Sequence, residues 1–518
     1  MSWRDEVDEL ERRRALAREQ GGPEAVERQH ARGRLTIRER IGALADKDSF
    51  REYGSAAGSA ELDEAGRLAN FTATNLVMGT ARLDGRPVVL GGDDFTIRGG
   101  AYGPAGLKKG QYADALAIRR KLPLVRLLEG GGASVSGSYS QRGRSGYDLT
   151  SPSPMNLLAM EALATVPVAC AAVGPCAGFP AGRLVASHFS VMTRGTAQVL
   201  TGGPALVERA FGEKLDKETL GGADVHLRSG VVDNGADDED DVWRLLRGFL
   251  SYLPPNVWEP APRIECDDPP GREDAELLDA LPRSARRAYQ VRALIERIVD
   301  RDSFFELTPL FGRSQVTAFA RVAGQPVGVL ANDCRHDGGA MTADGARKLR
   351  RFVETCDTFH LPIVSFVDEP GFMIGAEAER VGTIRYGMEA LFAVQQTQVP
   401  WLAVVLRKSY GVAQGIHYGP GCTVIAWPSM MSGALPVESG VALAFGREIE
   451  NAPDPAARRQ ELETEMAEAH SVFPRAEDFG VHELIDPRRT RPVLCEWVDE
   501  IQTELRTLRG PRQYGPRP

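Results

Sequence analysis

The second half of the chain repeats the first. Residues 41–52 (IGALADKDSFRE) align without gaps with residues 295–306 (IERIVDRDSFFE), with Asp, Asp, Ser, Phe and Glu shared at matched positions. Residues 85–88 (GRPV) answer 324–327 (GQPV). Holding that offset places Lys109 on Lys348, Leu122 and Pro123 on Leu361 and Pro362, Glu129 on Asp368, and Gly132 on Gly371. Farther on, the string MEAL occurs at both 160–163 and 388–391, and superposing Val166 and Pro167 on Val399 and Pro400 lays Gly178 on Gly411. A repeat of this length restricts the fold to two copies of one domain architecture. The chain has 518 residues, more than one core usually serves, so two domains of roughly 250 residues each are expected.

Within each half, strand-like runs alternate with helical patterns, which predicts an α/β fold with right-handed β-α-β crossovers. In the first half, strands are expected at 74–83, 87–90 and 122–128, and a buried one at 166–178. Helices are expected at about 106–121, 155–164, 204–211 and 240–252. Residues 4–31 read as an amphipathic helical arm broken at Gly21, Gly22 and Pro23, and Thr36 as the N-cap of the helix after it. Residues 55–70 are polar, with no strand or helix period. Residues 254–274 are rich in proline and acid and read as a linker, which gives an N-terminal domain 1–258, a linker core 259–274 and a C-terminal domain 275–518.

Each half carries two turns of small residues at strand ends. The first is 129–133 (EGGGA). A strand ending in consecutive glycines exposes backbone N–H groups with no side chain in the way, which is how an oxyanion site is made from backbone alone. A lone glycine cluster is more often a tight turn with no ligand. Its counterpart in the second half raises the functional reading, because two domains would then each present such donors.

The net charge of −9 and the pI near 5.6 argue against a general nucleic-acid binder. The charged start lacks the apolar stretch of a signal peptide. The most apolar segment, 166–182, is interrupted by Pro167, Pro175 and Pro180, so it would not cross a bilayer as a helix. Seven scattered cysteines without a CxxC pair read as thiols of a cytoplasmic protein, with no metal site expected.

Several strings together resemble the carboxyltransferase (β) subunits of biotin-dependent acyl-CoA carboxylases, the group of the propionyl-CoA and methylcrotonyl-CoA carboxylases. They are ARGRLTIRERI at 31–41, GPCAG at 174–178, RGTAQVLTGGP at 194–204, LGGADVH at 220–226, SYLPPN at 251–256, FVDEPGFMIG at 366–375 and RKSYGVA at 407–413. The resemblance implies two crotonase-like ββα-spiral domains in a homo-oligomer, usually a hexamer, with active sites between the N-domain of one subunit and the C-domain of another. It implies transfer of a carboxyl group from carboxybiotin to the α-carbon of an acyl-CoA. Gly132 and Ala133 match the pair that holds the thioester oxygen of the enolate, and Val412 and Ala413 the pair that holds the ureido oxygen of biotin. Gly131, Gly178, Phe179, Gly371, Phe372, Gly411, Gln414 and Gly415 line the implied pockets, and Lys108 and Lys109 read equally as contacts for the CoA phosphates or as a solvated helix face. The cofactor carries the reaction, so no catalytic Ser-His-Asp triad is expected. The chain has no biotin-attachment lysine flanked by methionines and no ATP-binding portion. A biotin-carrying α-subunit is therefore the implied partner.

Other side chains compete for roles. Asp368 and Glu369 read as turn residues before Pro370 and Gly371 more readily than as an acid/base pair. His336 and His417 lie near the C-domain turns, and Tyr410 reads as packing beneath one of them. Against the family pattern, Val412 adds bulk beside the implied biotin ring, Phe179 and Pro180 replace small residues, and Glu129 and Gly130 stand where Asp and Ser are common. Gly415 removes a side chain from the acyl end of the pocket, which predicts a longer or branched acyl group. Rival readings are a decarboxylase or transcarboxylase using the same two sites, a crotonase-like acyl-CoA enzyme without biotin, and an inactive β-like subunit with an assembly role.

Overall fold

A computed structural model describes residues 2–132 and 154–514. The chain divides into two compact units, Met1–Val257 and Trp258–Pro516. Among the described residues each unit holds one eight-stranded sheet, and the strand order is the same in both. In the first unit it runs Arg51–Glu52, Leu76–Leu83, Arg86–Asp93, Leu124–Gly130, Val168–Ala177, Phe189–Thr193, Asn234–Ala236, with Gln198–Leu200 pairing the end of Val168–Ala177. In the second it runs Phe305–Leu307, Gln315–Val322, Gln325–Asn332, Ile363–Glu369, Trp401–Tyr410, Thr423–Ala426, Glu483–Leu484, with Met431–Gly433 pairing the end of Trp401–Tyr410. The first three strands of each sheet are antiparallel and the rest parallel. Strands such as Leu124–Gly130 and Ile363–Glu369 are buried along their whole length, which is why they read as continuous apolar runs without alternation.

The repeated string is explained by bonds made twice. The Asp46 carboxylate accepts the N–H groups of Asp84 and Gly85 at 2.9 and 2.7 Å. Asp300 accepts those of Ala323 and Gly324 at 3.0 and 2.7 Å. Ser49 Oγ accepts Arg82 N–H at 3.1 Å, and Ser303 Oγ accepts Arg321 N–H at 3.0 Å. Asp48 and Asp302 both adopt the left-handed backbone, at φ 58° and 57°, which Asp tolerates better than most residues. Glu52 pairs with Arg38 and Glu306 with Arg292. The motif thus closes the same corner of both units, tying helix Ile37–Leu44 in one and Val291–Ile298 in the other to the first hairpin of the sheet.

Three segments differ from expectation. The polar stretch at 55–70 contains an antiparallel hairpin, Gly58–Leu62 with Leu68–Ala73; its first strand is exposed on both faces, so there was no alternation to read. The helix expected from 106 starts at Pro104, where a residue without an N–H is suited to the first helical position. The linker sequence is folded onto the second unit. Arg272 chelates Asp268 at 2.7 and 2.9 Å, and the buried Arg491 donates to the carbonyls of Asp268 and Pro269 at 2.9 and 3.1 Å. Among the described residues no helix is long and apolar enough to cross a membrane.

Candidate active site

In the first unit, strands Leu124–Gly130 and Val168–Ala177 run parallel and pair Gly130 with Cys176 after a register shift. They therefore release their turns side by side. Gly132 has φ +79°, and a Cβ placed on it would lie 2.9 Å from Ala177 O and 3.8 Å from Gly178 Cα. Gly131 N–H donates to Gly99 O at 3.2 Å and Gly178 N–H to Leu200 O at 3.1 Å. The N–H groups of Gly132 and Phe179 donate to no described residue. They are the donors this pair of turns leaves over. Ala133 lies outside the described residues. Pro180, next to Phe179 at the start of helix Phe179–Val185, has no N–H to offer.

The second unit builds the same device. Its strands Ile363–Glu369 and Trp401–Tyr410 pair Glu369 with Ser409 after a shift at the matching place. Gly411, at φ +64°, donates its N–H to Gly433 O at 3.1 Å, as Gly178 does to Leu200. Here the N–H groups of Phe372, Val412, Ala413 and Gln414 donate to no described residue, while that of Gly371 is taken by Glu369 Oε1 at 2.9 Å. Val412 is 62% exposed and Ala413 fully buried. Adjacent N–H groups fixed by strand ends are suited to a carbonyl oxygen that becomes negative during reaction.

Over residues 28–511 the chain matches the carboxyl transferase domain. It belongs to that family. This carboxyltransferase is 31% identical to the propionyl-CoA carboxylase carboxyltransferase subunit of Haloferax mediterranei, over 100% of this chain and 98% of that protein. It is 30% identical to the methylmalonyl-CoA decarboxylase subunit alpha of Veillonella parvula, over 99% and 98%. Among solved structures it is similar to transcarboxylase 12S, a hexamer with methylmalonyl-coenzyme A and methylmalonic acid bound. That likeness has a TM-score of 0.87 at 30% identity over 100% of this chain and 98% of that one.

Buried charge underlies the turns of the carboxyltransferase. Glu129, with no exposed surface, accepts from Arg34 and Arg40 at 2.5 Å each and from Gln29 at 2.8 Å. Arg40 also reaches Glu239 at 2.7 and 2.9 Å and Val173 O at 2.9 Å. Asp368 stands at the matching position, held by both ends of the Arg407 guanidinium at 2.9 and 3.2 Å, with Arg407 stacked 5.0 Å from the Tyr289 ring centre. Sequence reasoning missed the Glu129 cluster, since its arginines lie about ninety residues upstream. The only signal was that both belong to the string at 31–41.

Asp368 and Glu369 are sealed and bonded, not an open acid/base pair. His336 is partly exposed, with Asp333 at 3.9 Å. Tyr410 is buried beneath its turn, its ring 5.9 Å from that of His470. Phe179 meets Tyr102 edge-on at 5.8 Å, and Arg183 sits 5.8 Å from the Phe179 ring centre. Tyr102 in turn hydrogen-bonds Asp93, which burial pushes up to about 6. Of the two lysines, Lys108 is exposed, while Lys109 donates to Gly54 O at 3.2 Å. Burial lowers Lys109 to about 8, partly opposed by Glu52. Gln414 Oε1 accepts from Ser409 Oγ at 2.7 Å, and a Cβ on Gly415 would stand 3.0 Å from Leu391 Cδ1. Among the described residues no cluster of His, Cys, Asp and Glu is arranged to hold a metal.

Proposed function

We propose that this carboxyltransferase is the component of a biotin-dependent acyl-CoA carboxylase that transfers a carboxyl group to the α-carbon of an acyl-CoA. The observation that carries the reading is the doubled pair of turns, each leaving adjacent backbone N–H groups unspent. Gly132, with Ala133 and Phe179, holds the thioester oxygen as the α-carbon loses its proton and an enolate forms. Each donor aimed at such an oxygen contributes on the order of 10²–10³ in rate. Val412 and Ala413, joined by Phe372, hold the ureido oxygen of biotin. Biotin, when bound, supplies the carboxyl group and takes up the proton. The fit is chemical as well as positional: a ureido ring and a thioester are neutral carbonyls, and the site offers neutral amides. Turns closed over both substrates keep water from the enolate.

Biotin arrives on a partner α-subunit, where ATP is consumed, and the hexamer described for transcarboxylase 12S supports a homo-oligomer. Seven unpaired cysteines support a cytoplasmic setting. The Veillonella relative favours a second reading, the same transfer run toward decarboxylation. Purified protein supplied with a biotinylated partner, ATP, labelled bicarbonate and a panel of acyl-CoAs should yield a labelled, acid-stable carboxyacyl-CoA. CoA binding with no transfer in either direction would overturn the proposal in favour of an assembly subunit.

A further inference from the structure

Behind the second unit's turns lies a hydrogen-bonded chain whose members come from three separate places. Ser365 Oγ is 3.0 Å from His417 Nδ1, and His417 Nε2 is 3.3 Å from Glu369 Oε2. Glu369 Oε2 also accepts from Asn332 Nδ2 at 3.0 Å, and Oε1 from Gly371 N–H at 2.9 Å. The composition is that of a hydrolytic triad, although its members carry no local signature of one. Its surroundings exclude that role: Ser365, His417 and Glu369 have no exposed surface, so no substrate reaches the hydroxyl.

The chain instead connects the two turns. Glu369 closes the strand before the first turn and caps Gly371 within it. His417 ends the one-turn helix Ala413–His417, whose other end carries the unspent N–H groups of Val412 and Ala413. One carboxylate thus grips the first turn directly and the second through an imidazole. With Glu369 an acceptor on both oxygens, the Nε2 proton faces it, and Nδ1 is left to accept the Ser365 hydroxyl. Every partner is satisfied in this one arrangement, so the imidazole has no alternative tautomer without losing a bond. Among the described residues the first unit has no equivalent. The repeat puts Gly130 where Glu369 stands, Arg126 where Ser365 stands, and Leu184 where His417 stands, and Arg126 is spent on Asp114 at 2.8 Å.

We propose that His417 is a positioning residue for the transfer reaction, holding the Val412 and Ala413 donors at a fixed distance from the Gly371–Phe372 turn through Glu369. This rests on the reading that those donors serve the biotin carbonyl. A misplacement of about 1 Å at such a donor costs on the order of 100-fold in rate. Because the strut touches only the second unit's turns, its loss should lower kcat and leave acyl-CoA binding intact.

The test uses the full chain with its biotin-carrying partner and three variants. H417L should lower kcat by about 100-fold, with CoA affinity by calorimetry and the KM for acyl-CoA unchanged. H417Q, which restores an N–H donor toward Glu369, should recover most of that loss. S365A, which frees only the tautomer, should lower kcat by a smaller factor at an unchanged melting temperature. Wild-type kcat in H417L, or a rise in KM with kcat preserved, would overturn the proposal. So would an unfolded H417L accompanied by fully active H417Q and S365A, which marks a structural role. Absence of transfer by the wild-type protein would instead overturn the functional reading on which this depends.

Discussion

Asp93 Oδ2 accepts the N–H of Glu129 at 3.2 Å, holding the residue that opens the first unit's glycine turn. In the second unit the matching bond, at 2.9 Å, runs from Asp368 N–H to the amide oxygen of Asn332. One backbone bond is therefore made by a carboxylate in one unit and by a carboxamide in the other.

That difference predicts a pH dependence confined to the first unit. Burial raises Asp93 from 3.8 to about 6 in the folded chain, so the folded form binds the proton more tightly than the unfolded one. The stability this confers is fully present below the ordinary carboxylate value and is lost as pH rises through about 6. D93N installs the second unit's solution and does not titrate. Relative to wild type it should gain about 2 kcal/mol between pH 4 and pH 7. Urea unfolding of both proteins at the two pH values checks this, and a difference that stays constant with pH would refute it.

Arg40 is 1% exposed and shared between Glu129 and Glu239. Removing one partner from a buried ion cluster leaves charge uncompensated, at a cost of about 3–5 kcal/mol. R40L should destabilise by that amount, read as a lowered urea midpoint. R38L, whose pair with Glu52 is partly exposed, should cost less.

Gly178 sits at φ 63°, ψ −119°, a backbone conformation that other residues hold only at about 1–3 kcal/mol of strain. G178A should shift the Phe179 N–H and lower kcat about 100-fold, while CoA binding persists. Steady-state kinetics beside calorimetric CoA titration separates the two effects; weakened CoA binding with normal kcat would disprove the assignment.

A Cβ on Gly415 would already stand 3.0 Å from Leu391 Cδ1, so a larger side chain there must displace Leu391 or project away from it. G415I should narrow the acyl profile toward acetyl- and propionyl-CoA, cutting kcat/KM for a branched five-carbon acyl-CoA by about tenfold or more, the scale of one or two methylenes in an apolar pocket. A wild-type profile already confined to the two shortest substrates would defeat the idea.

What was legible in the chain was whatever repeats or lies close along it. The Asp46 and Asp300 corners could be matched because each lies in a string repeated without gaps, although the hairpins they bond follow 39 residues on in one half and 24 in the other. The turns at Gly132 and Gly411 announced themselves through glycine, since positive φ restricts the residue type. Burial and pairing at long range left no such trace. Nothing near Glu129 reports Arg34 and Arg40, and Ser365, Glu369 and His417 are ordinary residues until the sheet places strand Ile363–Glu369 beside Trp401–Tyr410. The hairpin at 58–73 escaped for the opposite reason: with so little of it buried, selection for alternation was absent.

Arg491 draws its partners from Asp268 and Pro269 on one side and from Ile298 and Asp300 on the other. Anyone dividing the gene to obtain the halves separately should therefore sever it between codons 257 and 258. A fragment begun at 275 would keep only the Ile298 and Asp300 half of that grip on a buried guanidinium, and one begun at 258 would carry its own clasp.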